Sequence, residues 1–153
     1  MGKLTVIAGL PGAGKTTFFG SEHYDVIYDD FYATQPNDEA SSGIDANKFP
    51  LQNSRFSSIV TDLHAKKSVA VADIVFCIAE YRNRFLAAVL LAIPSVEIEF
   101  VFFENNLDAS LHNIQQRGRA ERLEKELMFA KEISQRYSEI TVRKEKTYDT
   151  SRA

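Results

Sequence analysis

At 153 residues, 44% hydrophobic and 25% charged, the chain has the make-up of one ordinary globular domain, which excludes a disordered, collagen-like or membrane-embedded protein. Its lone cysteine, Cys77, rules out an internal disulfide, and neither a signal-peptide run nor a stretch of ~18 apolar residues is present, so a reducing cytoplasm is the expected setting. The net charge of −3 combines 8 basic and 14 acidic residues up to position 110 with 10 and 7 beyond it, the wrong balance for coating duplex nucleic acid, though not for holding the end of a strand.

Leu4, Val6, Ile7 and Ala8 form a short apolar run that stops at Gly9 and reads as a buried strand. Gly9 to Gly14 is a glycine-rich loop, and a helix beginning at Lys15 ends near Gly20 or Ser21. Val26–Tyr28 is a second strand, followed by Asp29-Asp30. Residues 33–53 are polar and carry Pro36, Gly43 and Pro50, the pattern of a long mobile loop over a substrate. Ser54 is placed to cap a helix that repeats Phe56, Ile59, Val60 and Leu63 at helical spacing. Val69 to Asp73 is a third strand. A helix follows from about Ala79, with Phe85, Leu86, Val89 and Leu90 apolar and Pro94 at its end. Ile98 to Phe103 makes a fourth strand, and Leu107, Leu111 and Ile114 mark a helix behind Asn106. Beyond Gly118, Leu123, Leu127, Ala130, Ile133 and Tyr137 mark the longest helix, and Ile140 to Tyr148 contains a fifth strand. Alternating strands and helices predict a single α/β domain over 1–153, a three-layer fold whose mostly parallel sheet of four or five strands is covered by helices on both faces.

Gly9-Leu-Pro-Gly-Ala-Gly14-Lys15-Thr16 satisfies G-x-x-x-x-G-K-[ST], a match expected by chance in on the order of one chain of this length in 200. Between a strand and a helix, such a loop wraps phosphate oxygens with backbone N–H groups, and the helix turns its positive end to the anion. Pro11, Gly12, Ala13, Gly14, Lys15, Thr16 and Thr17 are therefore the expected nucleotide contacts. Lys15 neutralises the β- and γ-phosphates, and the Thr16 hydroxyl ligates Mg²⁺.

Further residues bear on what the phosphate is for. An N-K-x-D guanine motif is absent, since Asn47-Lys48 is followed by Phe49-Pro50, which disfavours a GTP switch. Asp29 and Asp30 follow the second strand at the carboxyl edge of the sheet, where open α/β folds bind ligands. A carboxylate there accepts the proton of an attacking hydroxyl, or else caps a helix. Asp73, at the end of the third strand, either orders Mg²⁺ or closes a turn. Arg117-Gly118-Arg119, with Arg122, supplies guanidinium charge suited to phosphate, or forms a solvated junction between helices. Arg82 and Arg84 either reach the phosphate edge or face water. His23, His64 and His112 have no metal-ligand spacing, and Cys77 reads as a buried, inert thiol.

Taken in order, GLPGAGKT, VIYDDFY, VAVAD with the helix bearing Arg82, and HNIQQRGR resemble the small P-loop kinases, of adenylate-kinase-like fold, related to polynucleotide 5′-hydroxyl kinase, with zeta-toxin kinases and AAA-type small kinases as neighbours. The resemblance spans most of residues 4–137. It implies that Asp29 is the base that activates an acceptor hydroxyl, and that Arg117, in a lid over 113–125, reaches the donor phosphates with Arg119 beside it. It places Asp30 and Arg82 on the acceptor side and Mg²⁺ on Thr16 and Asp73. Two departures fall on that acceptor side: Phe31-Tyr32-Ala33 stands where the polynucleotide kinases carry an arginine, and Ile74-Val75-Phe76 stands where they are polar. The expected activity is transfer of the γ-phosphoryl group of ATP–Mg²⁺ to a hydroxyl on a nucleic-acid 5′ end, a nucleoside or a small metabolite. The competing reading is an ATP-binding or ATPase module with no acceptor.

Overall fold

The computed structural model describes residues 2–10, 13–29, 50–51, 54–116, 120–137 and 144–145. Five strands, β1 (Lys3–Ala8), β2 (Val26–Tyr28), β3 (Ser68–Ala72), β4 (Glu97–Phe103) and β5 (Lys144–Glu145), form one sheet in the order β2-β3-β1-β4-β5. Every pairing is parallel, with Leu4 opposite Val69 on one side and Ile98 on the other. Parallel strands need crossovers, and the helices α1 (Lys15–Ser21), α2 (Ser54–His64), α3 (Ala79–Ala92), α4 (Leu107–Gln116) and α5 (Ala120–Arg136) occupy the intervals between them. Of the fifth strand expected within 140–148, the described residues contain Lys144–Glu145, and the expected substrate loop 33–53 lies outside them except for Pro50 and Leu51.

The two faces of the sheet are covered unequally. Leu4, Val6 and Ala8 of β1, with Val69, Val71 and Phe102, pack against Phe56, Ile59 and Leu63 of α2, Phe85 and Val89 of α3 and Ile133 of α5. The alternate residues Ile7, Ala70, Ala72, Val101 and Phe103 face Phe18 and Phe19 of α1. Alanines on β3 bring α1 close to the sheet, and the rings of Phe18 and Phe103 meet edge to face at 5.9 Å. β1 is buried from Leu4 to Ala8 because it is covered on both faces and paired on both edges.

Local bonds set the strand ends. The Asp25 carboxylate accepts the Ser68 N–H at 2.8 Å and the Asp25 N–H donates to Ser68 Oγ at 2.9 Å, which fixes β2 against the start of β3. The expected third strand ends one residue early: a 3₁₀ turn over Ile74–Cys77 begins there, with Asp73 as its cap. The Asn106 carboxamide accepts the Ala109 N–H at 3.1 Å, the cap expected for α4.

Candidate functional site

β1 lies at the centre of the sheet, and its carboxyl end delivers the chain into the glycine loop. Gly9 has no room for a side chain, because a Cβ there would stand 3.1 Å from Phe103 Cβ and 3.2 Å from Ala13 Cβ. The loop turns through the bond from the Ala13 N–H to the Leu10 carbonyl at 3.0 Å. Gly14 enters α1 with φ 100°, a left-handed conformation that glycine adopts at little cost. The Phe18 N–H then donates to the Gly14 carbonyl at 3.0 Å, starting the helix at the loop's edge.

Lys15 is 8% exposed, unusual burial for a lysine. Its ammonium donates to the Gly9 carbonyl at 2.7 Å and the Leu10 carbonyl at 3.0 Å, so the charge is held inside the curve of the loop. Asp73, 3% exposed, leaves the neighbouring strand β3 beside it. One carboxylate oxygen accepts the Val75 N–H at 2.9 Å, capping the turn that follows β3. Asp29 follows β2 directly, two strands from β1 and so roughly 10 Å across the sheet. The carboxyl edge thus carries, in order, a carboxylate, a second carboxylate and a buried ammonium.

Arg82, expected at the substrate edge, is 2% exposed. Its Nη1 donates to the Phe76 carbonyl at 2.8 Å and the guanidinium carbon lies 5.0 Å from the centre of the Phe102 ring, so carbonyl and ring hold the side chain beneath the 3₁₀ turn. Arg84 lies farther round the helix, 4.0 Å from Glu80 one turn earlier. The backbone of Thr16 and Thr17 belongs to α1, while Pro11, Gly12, Asp30, Arg117, Gly118 and Arg119 lie outside the described residues.

Two contacts at this edge have no sequence signal. Arg55, in the first turn of α2, reaches the Asp29 carbonyl through Nη1 at 3.4 Å, joining positions 26 residues apart. The Tyr137 hydroxyl, at the end of α5, lies 3.2 Å from the carbonyl of Ala8, next to that of Phe103, and bonds the Cys77 thiol. Periodicity marks Tyr137 as a core residue and says nothing of its hydroxyl. Burial pushes the Cys77 thiol up to about 12, in keeping with the inert role expected for it. Away from this edge, a polar cleft lined by Lys3, Thr5, Glu22, Tyr24, Ser68 and Glu99 opens at the amino-terminal half of the strands and holds an exposed ion pair, Lys3 to Glu99 at 3.2 Å.

No family model and no curated protein sequence matches the chain. Solved structures do. A gluconokinase from Sinorhizobium meliloti 1021 superposes with a TM-score of 0.59 at 17% identity, over 95% of this chain and 81% of that one. APE1195 gives a TM-score of 0.59 at 19% identity, over 98% and 86%. The Pnkp1/Rnl/Hen1 RNA repair complex gives 0.52 at 16% identity, over 86% of this chain and 45% of that one. A central parallel strand feeding a glycine-rich loop, with the gluconokinase superposing on 95% of the chain and the repair complex on 86%, gives this chain the fold of the small P-loop kinases.

Proposed function

We propose that the protein transfers the γ-phosphoryl group of ATP to a hydroxyl on a small molecule or a nucleic-acid end. The observation that carries this reading is the buried Lys15 ammonium, drawn into the glycine loop on the same edge of the sheet as Asp73 and Asp29. An ATPase needs the first of these groups and the metal, but a carboxylate two strands away serves an acceptor. In this mechanism the loop N–H groups and Lys15 bind the β- and γ-phosphates and neutralise charge as the terminal phosphoryl group moves. Asp29 takes the proton of the acceptor hydroxyl as its oxygen bonds to phosphorus and the bond to the β-phosphate oxygen breaks, leaving ADP. Arg117 and Arg119 complete the charge on the donor side, and Asp30 orients the acceptor.

Mg²⁺ takes hard oxygen ligands, usually one or two from protein and the rest from phosphates and water. The Thr16 hydroxyl and the Asp73 carboxylate are donors of that kind, Thr16 in the first turn of α1 and Asp73 just past β3, the strand beside β1, and their chemistry suits the ion. Bound there, it would neutralise phosphate charge.

The names of the similar structures supply two acceptor classes to try, a sugar acid and an RNA end. The test uses γ-labelled ATP and Mg²⁺ with 5′-hydroxyl oligonucleotides, nucleosides, sugars and sugar acids. Label is expected on one class, and Asp29→Asn is expected to lower transfer by about 10²–10⁴-fold while ATP affinity stays near wild type. Tight ATP binding with label released only as inorganic phosphate would overturn the transferase reading.

A further inference from the structure

Arg82 carries a charge that the mechanism above does not use. Its guanidinium is 2% exposed, and its Nε is buried with no hydrogen-bond partner. Among the described residues no carboxylate pairs with it: it meets the Phe76 carbonyl at 2.8 Å and the Phe102 ring. Burying a cation without a counter-ion is costly, and an apolar side chain of the same length would ordinarily serve packing better. The position of the charge suggests what offsets the cost. Arg82 fastens the 3₁₀ turn that ends in Cys77, and its guanidinium packs on the ring of Phe102, which pairs in register with Ala8, the last residue of β1 before Gly9. The Tyr137 hydroxyl reaches the Ala8 carbonyl, one residue before the loop begins. Arg82 therefore lies beneath the strand end that feeds the glycine loop.

We propose that Arg82 is a positioning residue for polyphosphate, a permanent positive charge beneath the cradle that strengthens phosphate binding without touching the nucleotide. This rests on the reading of the loop as a phosphate site, but not on any acceptor. A unit charge acting on another over a distance on the order of 10 Å, at an effective dielectric near 20, changes binding roughly tenfold. The effect scales with ligand charge, so it must be large for a triphosphate and absent for an uncharged nucleoside.

The experiment measures equilibrium binding of ATP, inorganic tripolyphosphate and adenosine at fixed ionic strength, beside the thermal unfolding of each ligand-free protein. Arg82→Met is expected to unfold at or above the wild-type temperature, to lose about tenfold or more in affinity for ATP and tripolyphosphate, and to bind adenosine as before. Arg82→Lys, which keeps the charge and loses the planar fork, is expected to stay within about threefold of wild type for all three. An Arg82→Met protein that unfolds well below wild type, or that binds tripolyphosphate normally, would overturn the proposal, as would an Arg82→Lys protein that loses as much as Arg82→Met. Wild-type protein that binds neither ATP nor tripolyphosphate would overturn the phosphate reading of the loop and this inference with it.

Discussion

Gly9 and Gly14 are required for different reasons. At Gly9 the obstacle is space: a methyl group meets Phe103 and Ala13 at 3.1 and 3.2 Å. Gly9→Ala must push the Phe103 ring or the loop aside, and a loss of about 1–3 kcal/mol is expected from urea unfolding. At Gly14 the obstacle is the backbone, so Gly14→Asn should be tolerated better than Gly14→Val, since asparagine visits the left-handed region and a β-branched residue does not. Tyr28 makes a different point. Its hydroxyl donates to the Asp62 carboxylate at 2.6 Å, and burial first, then that bond, raises its pKa to about 12 from an ordinary 10. The stabilisation is therefore complete below pH 10 and is lost as pH climbs from about 10 to about 12. Tyr28→Phe should cost about 1 kcal/mol near neutral pH and flatten the alkaline fall in stability over that interval, read from urea midpoints at successive pH values. An alkaline fall as steep in the variant as in wild type would assign the proton to another group.

Helices α4 and α5 are held to each other by a local pair of polar side chains. Asn105 and Ser134 exchange two hydrogen bonds, Ser134 Oγ to Oδ1 at 2.7 Å and Nδ2 to the Ser134 carbonyl at 2.9 Å, tying the start of α4 to α5. Asn106 then caps α4. Asn106→Ala should lower stability by about 1 kcal/mol, measured by thermal unfolding, and Asn106→Ser should restore most of it. Elements of this kind are legible in sequence because their signals are local: Ser54 and Asn106 precede apolar residues at helical spacing, and β1, β3 and β4 each end in an apolar run, Val6–Ala8, Val69–Ala72 and Phe100–Phe103. The 3₁₀ turn over Ile74–Cys77 was not legible, since four apolar residues after a strand carry no period to distinguish them from its continuation. The glycine loop could be read because backbone geometry demands particular residues at fixed offsets. The contacts of Arg82, Arg55 and Tyr137 could not, because each depends on which elements the sheet order places side by side, and arginine is ordinarily exposed.

At the scale of the molecule, an apolar cluster covers each face of the sheet, and Cys77 sits fully inside the one that α2, α3 and α5 close. Burial pushes the thiol up to about 12, so the native protein should resist thiol-directed reagents at pH 8 and react only as fast as it unfolds. Labelling in native buffer that matches the rate in urea would show that this part of the core opens locally. Among the described residues no helix is long and apolar enough to cross a membrane.

The sheet order also constrains when the phosphate loop can form during synthesis. β1 is made first, yet its two neighbours begin at residues 68 and 97, and the hydroxyl that abuts its last carbonyl belongs to residue 137. A nascent chain that has emerged through α2 still has its central strand without a partner on either edge. Contacts this distant in sequence form slowly and leave apolar surface exposed meanwhile. Because β1 and the loop that leaves it are supported by the later half of the chain, the nucleotide affinity proposed above should arise only once α5 has emerged, which makes ATP capture by stalled chains of increasing length a direct clock for completion of the fold.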